Sequence, residues 1–498
     1  MNRIRSTLSA AALGLALMGQ AALAETLTIA VPVNINTLDP HNSATFPTDL
    51  SLASHIYTSL LTRGPDLKLA PAAAESWEVV DDNTWRFKLR DGITFSNGEP
   101  LDAEAVKWNM ERVLDESNNL RVRPWLTLVD AVEVIDPLTV EFHTSAPFPA
   151  LADQVSFFFI VPPTWAGEHD LATEALGSGP YELESFTSGD SAVLKLRDDY
   201  WGEAPDFDEV VFRVMPEDSS RVAALLSGDV DFITAFPPSD VARLEGNGGI
   251  HASAVASTRF MYIKYNTLRA PLQDQPDVWR ALNYAVDKNL IQAQLWGGLG
   301  EVAKCHPLSL AYFGYNDSTP VSYDYDPEKA RELLAKAGYA NGLEIELEVP
   351  TGRYIQSTDI AQIVAAQLAE VGVTVKITEM EFGRWMDKAR VQKDMGDTAY
   401  MGMAWPTLDA DGLLSLWLSD GDQAYYNNPD FDKLVLEARS TVDVAKRLDL
   451  YKQATDILCE APPYISMFFQ PITYAYGPNV EWEARGDDWV RAMDMHSK

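Results

Sequence analysis

Two short stretches of this 498-residue chain bring together residue types suited to holding a charged small molecule. In the first, Gly352-Arg353-Tyr354, a strand pattern (LEIELEV) precedes and a helix pattern from Asp359 to Val371 follows. Arg353 is therefore expected at the carboxyl end of a strand, where open α/β sheets bind ligands. Its planar guanidinium suits a carboxylate through paired hydrogen bonds, and its ordinary alternative is an ion pair with a surface acid. Tyr354 adds an aromatic ring beside it. The second stretch, MAWPTLDADG, carries Trp405, Asp409 and Asp411 in a loop ahead of LLSLWL. Either carboxylate can hold an ammonium group or cap the helix that follows. Trp405 can face a ligand or fill a core.

Bond-making chemistry finds no such support. The chain has no G-x-S-x-G, H-E-x-x-H, C-x-x-C or GxxxxGK[ST] motif. Its seven histidines are scattered, and only His306, next to Cys305, invites inspection as a metal ligand. The glycines of GNGGIH read as a turn. GSGPYELESFTSGDSAVLKLRDDYWGEAP opens like a phosphate loop, but no helix follows to hold the anion. Tyr181 and Leu183, a turn at Ser188-Gly189-Asp190, and Val193, Leu194 and Leu196 read as a β-hairpin instead. Binding without catalysis or cofactor becomes the leading class.

The formal charge of −34, from 73 acidic against 39 basic residues, is spread along the chain and repels nucleic acid. At this length, with 46% hydrophobic residues, two or three lobes are expected. Residues 1–24 read as a cleaved secretory signal: Arg3 and Arg5 lead an apolar run from Leu8 to Met18, and Ala22-Leu23-Ala24 precedes Glu25. No cysteine follows Ala24, which argues against a lipid anchor, and no other segment is long and apolar enough to span a bilayer. Cys305 and Cys459 are either a single disulfide or two buried thiols.

Strand and helix signals alternate along the chain, so the fold class is α/β with added antiparallel hairpins. Helices are expected after Asp102, over DSSRVAALLSGD up to Gly228, and from Asp326-Pro327 to Gly338. No repeat or low-complexity linker separates the halves. RFMYIKYNT and PYISMFFQPITYAY are the best candidates for two strands crossing between lobes as hinges.

In this order NTLDPH, IYTSLL, AAAESWEVVDDNTWRFKLRDGITFSNGEPLDAEAVKWNMERVL, the GSGPYEL hairpin, DSSRVAALLSGDVDFI, YIKYNTLRAPLQDQPDVWRALNYAVDKNLI, YDPEKARELLAKAGY and AAQLAEVGVTVKI resemble family 5 of the extracellular solute-binding proteins, which serves peptide and nickel ABC importers. The resemblance runs from about residue 26 to the C-terminus. It implies a two-lobed periplasmic binding protein fold of the large, subdivided type. Lobe I would take residues 25–265 and 470–498, with 50–180 approximately a subdomain, and lobe II residues 266–469. It further implies a monomer in the periplasm that delivers a small peptide or peptide-like solute to an inner-membrane permease. Arg353 falls within about two positions of the family's carboxylate-binding arginine. Pro406 falls where peptide binders place an aspartate for the amino group, which argues against a standard free dipeptide and leaves glutathione-like, opine-like or other modified amino-acid ligands open. The alternatives are a receptor for a metal chelate or haem, and a secreted hydrolase with an acid pair in its cleft.

Overall fold

In a computed structural model the chain is described over residues 25–43, 46–351, 353–421 and 425–498, so the expected signal segment lies outside the described residues. The first strand, Thr26–Val31 (β1), buries Leu27, Ile29, Ala30 and Val31 almost completely. Such a continuous apolar run belongs inside a sheet covered on both faces. Four strands then form a separate antiparallel sheet in the order β2-β3-β5-β4: Ala74–Asp81 (β2), Thr84–Leu89 (β3), Val129–Asp136 (β4) and Thr139–Thr144 (β5). Helix Ala103–Leu114 (α1) packs on it with Val106, Met110 and Val113 buried, and the Asp102 side chain accepts a hydrogen bond from the Ala105 N–H at 3.0 Å.

The hairpin expected from the GSGPYEL segment forms as Tyr181–Thr187 (β6) and Ser191–Leu196 (β7), paired antiparallel. Glu209–Val214 (β8) follows, then helix Asp218–Ser227 (α2), which Gly228 ends in the left-handed conformation at φ 78°. After Phe232–Thr234 (β9) comes the 15-residue strand His251–Tyr265 (β10). Beyond it lie helix Pro327–Lys336 (α3), strand Leu343–Thr351 (β11), helix Ser357–Glu370 (α4), strands Val373–Glu381 (β12) and Thr398–Met403 (β13), and helices Ala410–Leu414 (α5), Pro429–Arg439 (α6) and Val444–Glu460 (α7). Helix α4 starts two residues before the expected Asp359. The last long strand is Tyr464–Tyr476 (β14).

One sheet runs through the molecule in the order β6-β7-β8-β1-β9-β14-β10-β13-β11-β12, with Glu301–Val302 paired to β14 off this path. The two strands proposed as crossings, β10 and β14, are antiparallel partners at its centre, from His251 opposite Tyr476 to Lys264 opposite Tyr464. Their register shifts between Ala256 and Phe260, at a bulge that bends the strand. Apolar side chains gather on either side of this pair. One core is drawn from residues 260–469, and others from Leu27 to Phe232 with Ile472 to Met495, and from Leu60 to Ile160. The chain therefore has two lobes that share a sheet, the first of them subdivided.

Cys305 and Cys459 form a disulfide with Cα atoms 5.0 Å apart, joining the loop after Glu301–Val302 to the end of α7. Both residues lie in the core drawn from 260–469, so the bond staples that lobe without crossing β10 or β14. Replacing both with serine is expected to lower the unfolding free energy by about 2–4 kcal/mol, chiefly by freeing the unfolded chain. Urea denaturation checks this, and an unshifted midpoint would mean that the bond contributes nothing in solution. No helix among the described residues is long and apolar enough to cross a membrane.

Candidate functional site

The carboxyl end of β11 delivers Arg353 two residues past the strand, and the side chain is exposed. Its guanidinium stands 5.8 Å from the centre of the Tyr354 ring and has no acid partner among the described residues. The positive charge of Arg259, with a smaller contribution from burial, lowers its pKa from the usual arginine value. Arg259, at the β10 bulge, pairs with Asp488 at 3.3 Å. Asp488 is thus taken by Arg259, which leaves the charge of Arg353 without a direct partner among the described residues.

Tyr354 itself is packed rather than open. It is 8% exposed, its hydroxyl donates to the Gly402 carbonyl at 3.2 Å, and its ring meets Phe382 and Tyr400 edge-on. It forms a platform beneath the arginine.

Trp405 lies in the loop after β13, and its indole meets Trp125 of the first lobe edge-on, with ring centres 6.5 Å apart. Gly412 makes room for it, because a Cβ there would lie 2.0 Å from Nε1. The Trp405 N–H donates to the Tyr312 hydroxyl oxygen at 2.7 Å, and that hydroxyl donates in turn to the Trp405 carbonyl at 3.3 Å. Thr407 offers its carbonyl to the guanidinium of Arg63 from the opposite lobe. These contacts close the lobes on one another around Trp125, Trp405, Arg63 and Thr407.

Three donors at this closure are buried without a hydrogen-bond partner: Trp405 Nε1, Thr407 Oγ1 and Arg63 Nε. Unsatisfied buried donors are costly, and a bound acceptor removes that cost. Behind Arg63 the first lobe supplies further cations. Arg485 pairs with Asp487 at 2.8 Å and Asp494 at 3.1 Å, and Arg491 donates to the Arg63 carbonyl at 3.1 Å. Arg63 pairs with Asp153 at 2.6 Å. Burial, aided by the negative charge of Asp409, pushes Asp153 up to about 6.

Asp409 and Asp411 do not join the open positions. Asp409 is fully buried and takes the capping role: its side chain accepts from the Asp411 N–H at 2.8 Å at the start of α5. Both its oxygens also accept from Arg447 of α7, each at 2.8 Å. Asp411 is held by Arg439 of α6 at 2.9 Å. An arginine thus already sits against each of the two carboxylates that could hold a ligand ammonium or cap the helix. His306, the one histidine that invited inspection, has its Nε2 3.1 Å from the Asn316 carbonyl, and burial lowers its pKa.

Arg63, Trp125, Arg259, Arg485 and Asp488 were not legible as site residues. Each lies far in sequence from Arg353 and Trp405, and only the lobe closure and the β10 bulge bring them near. One signal was present for Arg259, a charge immediately before the apolar run FMYIKY of a central strand.

Residues 68–425 match the family described as bacterial extracellular solute-binding proteins, family 5. A glutathione-binding protein, GsiB, of Escherichia coli strain 536 is 31% identical over 494 residues, covering 96% of this chain and 95% of the relative. The structure of HbpA2 from Haemophilus parasuis superposes with a TM-score of 0.84 at 24% identity, over 95% of this chain and 100% of that one. AgaA from A. tumefaciens R10, in complex with agropinic acid, gives a TM-score of 0.78 at 28% identity, over 95% and 99%. With its shared sheet, its two lobes and a match over most of its length, the chain belongs to the bacterial extracellular solute-binding proteins of family 5.

Proposed function

We propose that this protein captures a small peptide-like solute bearing a carboxylate between its lobes in the periplasm and delivers it, as a monomer and without chemistry, to an ABC-importer permease. The observation that carries the reading is Arg353, an exposed guanidinium at a strand's carboxyl end with Arg259 beside it and no acid partner among the described residues. A ligand carboxylate there relieves the repulsion and gains a charge-assisted pair. The buried, unpartnered donors of Trp405, Thr407 and Arg63 favour a ligand rich in acceptors. Glutathione and agropinic acid, the ligands named for two relatives, both carry carboxylates. Asp409 and Asp411 each sit against an arginine, which argues against a free acid pair for hydrolysis.

Residues 25–265 with 470–498 would form the first lobe, 50–180 its subdomain, and 266–469 the second lobe, with β10 and β14 as hinges. A ligand touching both lobes stabilises the closed state by its differential affinity for that state. Residues 1–24 would direct export and be removed before Glu25.

A thermal-shift screen over glutathione, short peptides and opines tests the proposal. A solute that raises the melting temperature and is recovered intact supports it. Product formation that scales with protein would make the protein an enzyme.

A further inference from the structure

The solvent-facing side of the β2-β3-β5-β4 sheet carries a cluster that the cleft does not use. Glu133 on β4 lies directly opposite Glu141 on β5, and His143 follows two residues later on the same face of β5. Like charges directly opposite on paired strands repel, and a cation between them relieves that repulsion. Arg86 of β3 supplies only part of one. It donates to Glu141 Oε1 through Nε at 2.8 Å and also pairs with Glu78 at 3.1 Å. Glu141 Oε2 points to the other side, 4.0 Å from His143 Nε2. That same nitrogen stands 3.4 Å from Glu133 Oε2 and is buried without a hydrogen-bond partner, while Nδ1 lies 3.4 Å from the Thr84 hydroxyl.

We propose that Glu133, Glu141 and His143 form a binding site for a divalent transition-metal ion, with zinc the best fit. One nitrogen and two carboxylate oxygens lie within 4.8 Å of one another. Zinc bonds of about 2.0–2.2 Å at tetrahedral angles put neighbouring ligand atoms roughly 3.4 Å apart, so small side-chain adjustments complete the set, with water as fourth ligand. The groups behind these ligands fit as well: Arg86 orients Glu141 through the oxygen not facing the site, and Thr84 engages the far nitrogen of His143. The donor set is too poor in oxygen, and its nitrogen too prominent, for magnesium or calcium. A bound ion would join β4 to β5 on a lobe face made by residues outside the solute cleft.

Isothermal titration of untagged, chelator-stripped protein with zinc chloride tests the assignment. One ion per chain is expected, uncontested by excess magnesium. His143→Ala and Glu133→Gln are each expected to weaken binding at least about tenfold, on the scale of altered metal sites. Both leave Arg353 and the lobe closure untouched, so the thermal response to the cleft's solute should be unchanged, which also shows that the variants fold. Absence of zinc binding by the unaltered protein, or equal binding by both variants, overturns the assignment.

Discussion

Arg353→Ala is expected to weaken solute binding by about 2–5 kcal/mol while leaving the fold intact, the range for truncating one member of a buried, hydrogen-bonded charge pair. The magnitude rests on the surroundings. Arg353 has no acid partner among the described residues, so its removal strands the ligand's carboxylate in a cleft that closure dries, while the neighbouring Arg259 is committed to Asp488. Stability should change little, since an exposed side chain without an ion pair contributes little to folding. Arg353→Lys should recover only part of the loss, because an ammonium group cannot reproduce the two-pronged contact. Isothermal titration with the solute that most raises the melting temperature checks this. Near-native affinity in Arg353→Ala would remove the residue from the site.

Asp409→Asn should act the other way, on stability and not on recognition. Asp409 and Arg447 are both almost fully buried and meet through two 2.8 Å hydrogen bonds. Burial opposes the guanidinium's charge, but the attraction and hydrogen bonds of Asp409, together with Tyr451 and Asp411, outweigh it, so the pKa of Arg447 is raised above the usual arginine value. Neutralising the acid leaves that charge buried and uncompensated, which costs about 3–5 kcal/mol. The α5 cap is better preserved, since asparagine also caps well. Urea unfolding of the variant should show a lower midpoint, and the fraction still folded should bind the solute with unchanged affinity. A variant of normal stability that no longer binds would restore Asp409 as a ligand anchor.

What could be read from sequence follows from what is local. The GSGPYEL hairpin, the Asp102 cap of α1, the stop at Gly228 and the two long crossing strands are set by neighbours within a few residues, and they form where expected. The position of Arg353 past the end of β11 was legible for the same reason, because a strand-to-helix connection fixes its place at a sheet end. Asp409 was ambiguous because ligand binding and helix capping ask for the same residue in the same loop. Arg447, which pairs with it, lies 38 residues away on α7. The first-lobe half of the cleft was illegible: Arg63 reaches Thr407 across 344 residues, and no local pattern encodes that approach. The Glu133–Glu141–His143 cluster was hidden in the same way, since histidine spacing along the chain says nothing about a partner on the next strand.

Mass spectrometry of the small molecules released on denaturing the purified protein tests the central claim most directly. The account predicts an amino-acid-derived compound with at least one free carboxylate, present at up to one equivalent and absent from Arg353→Ala. A neutral solute, or an acid retained equally by Arg353→Ala, would contradict it.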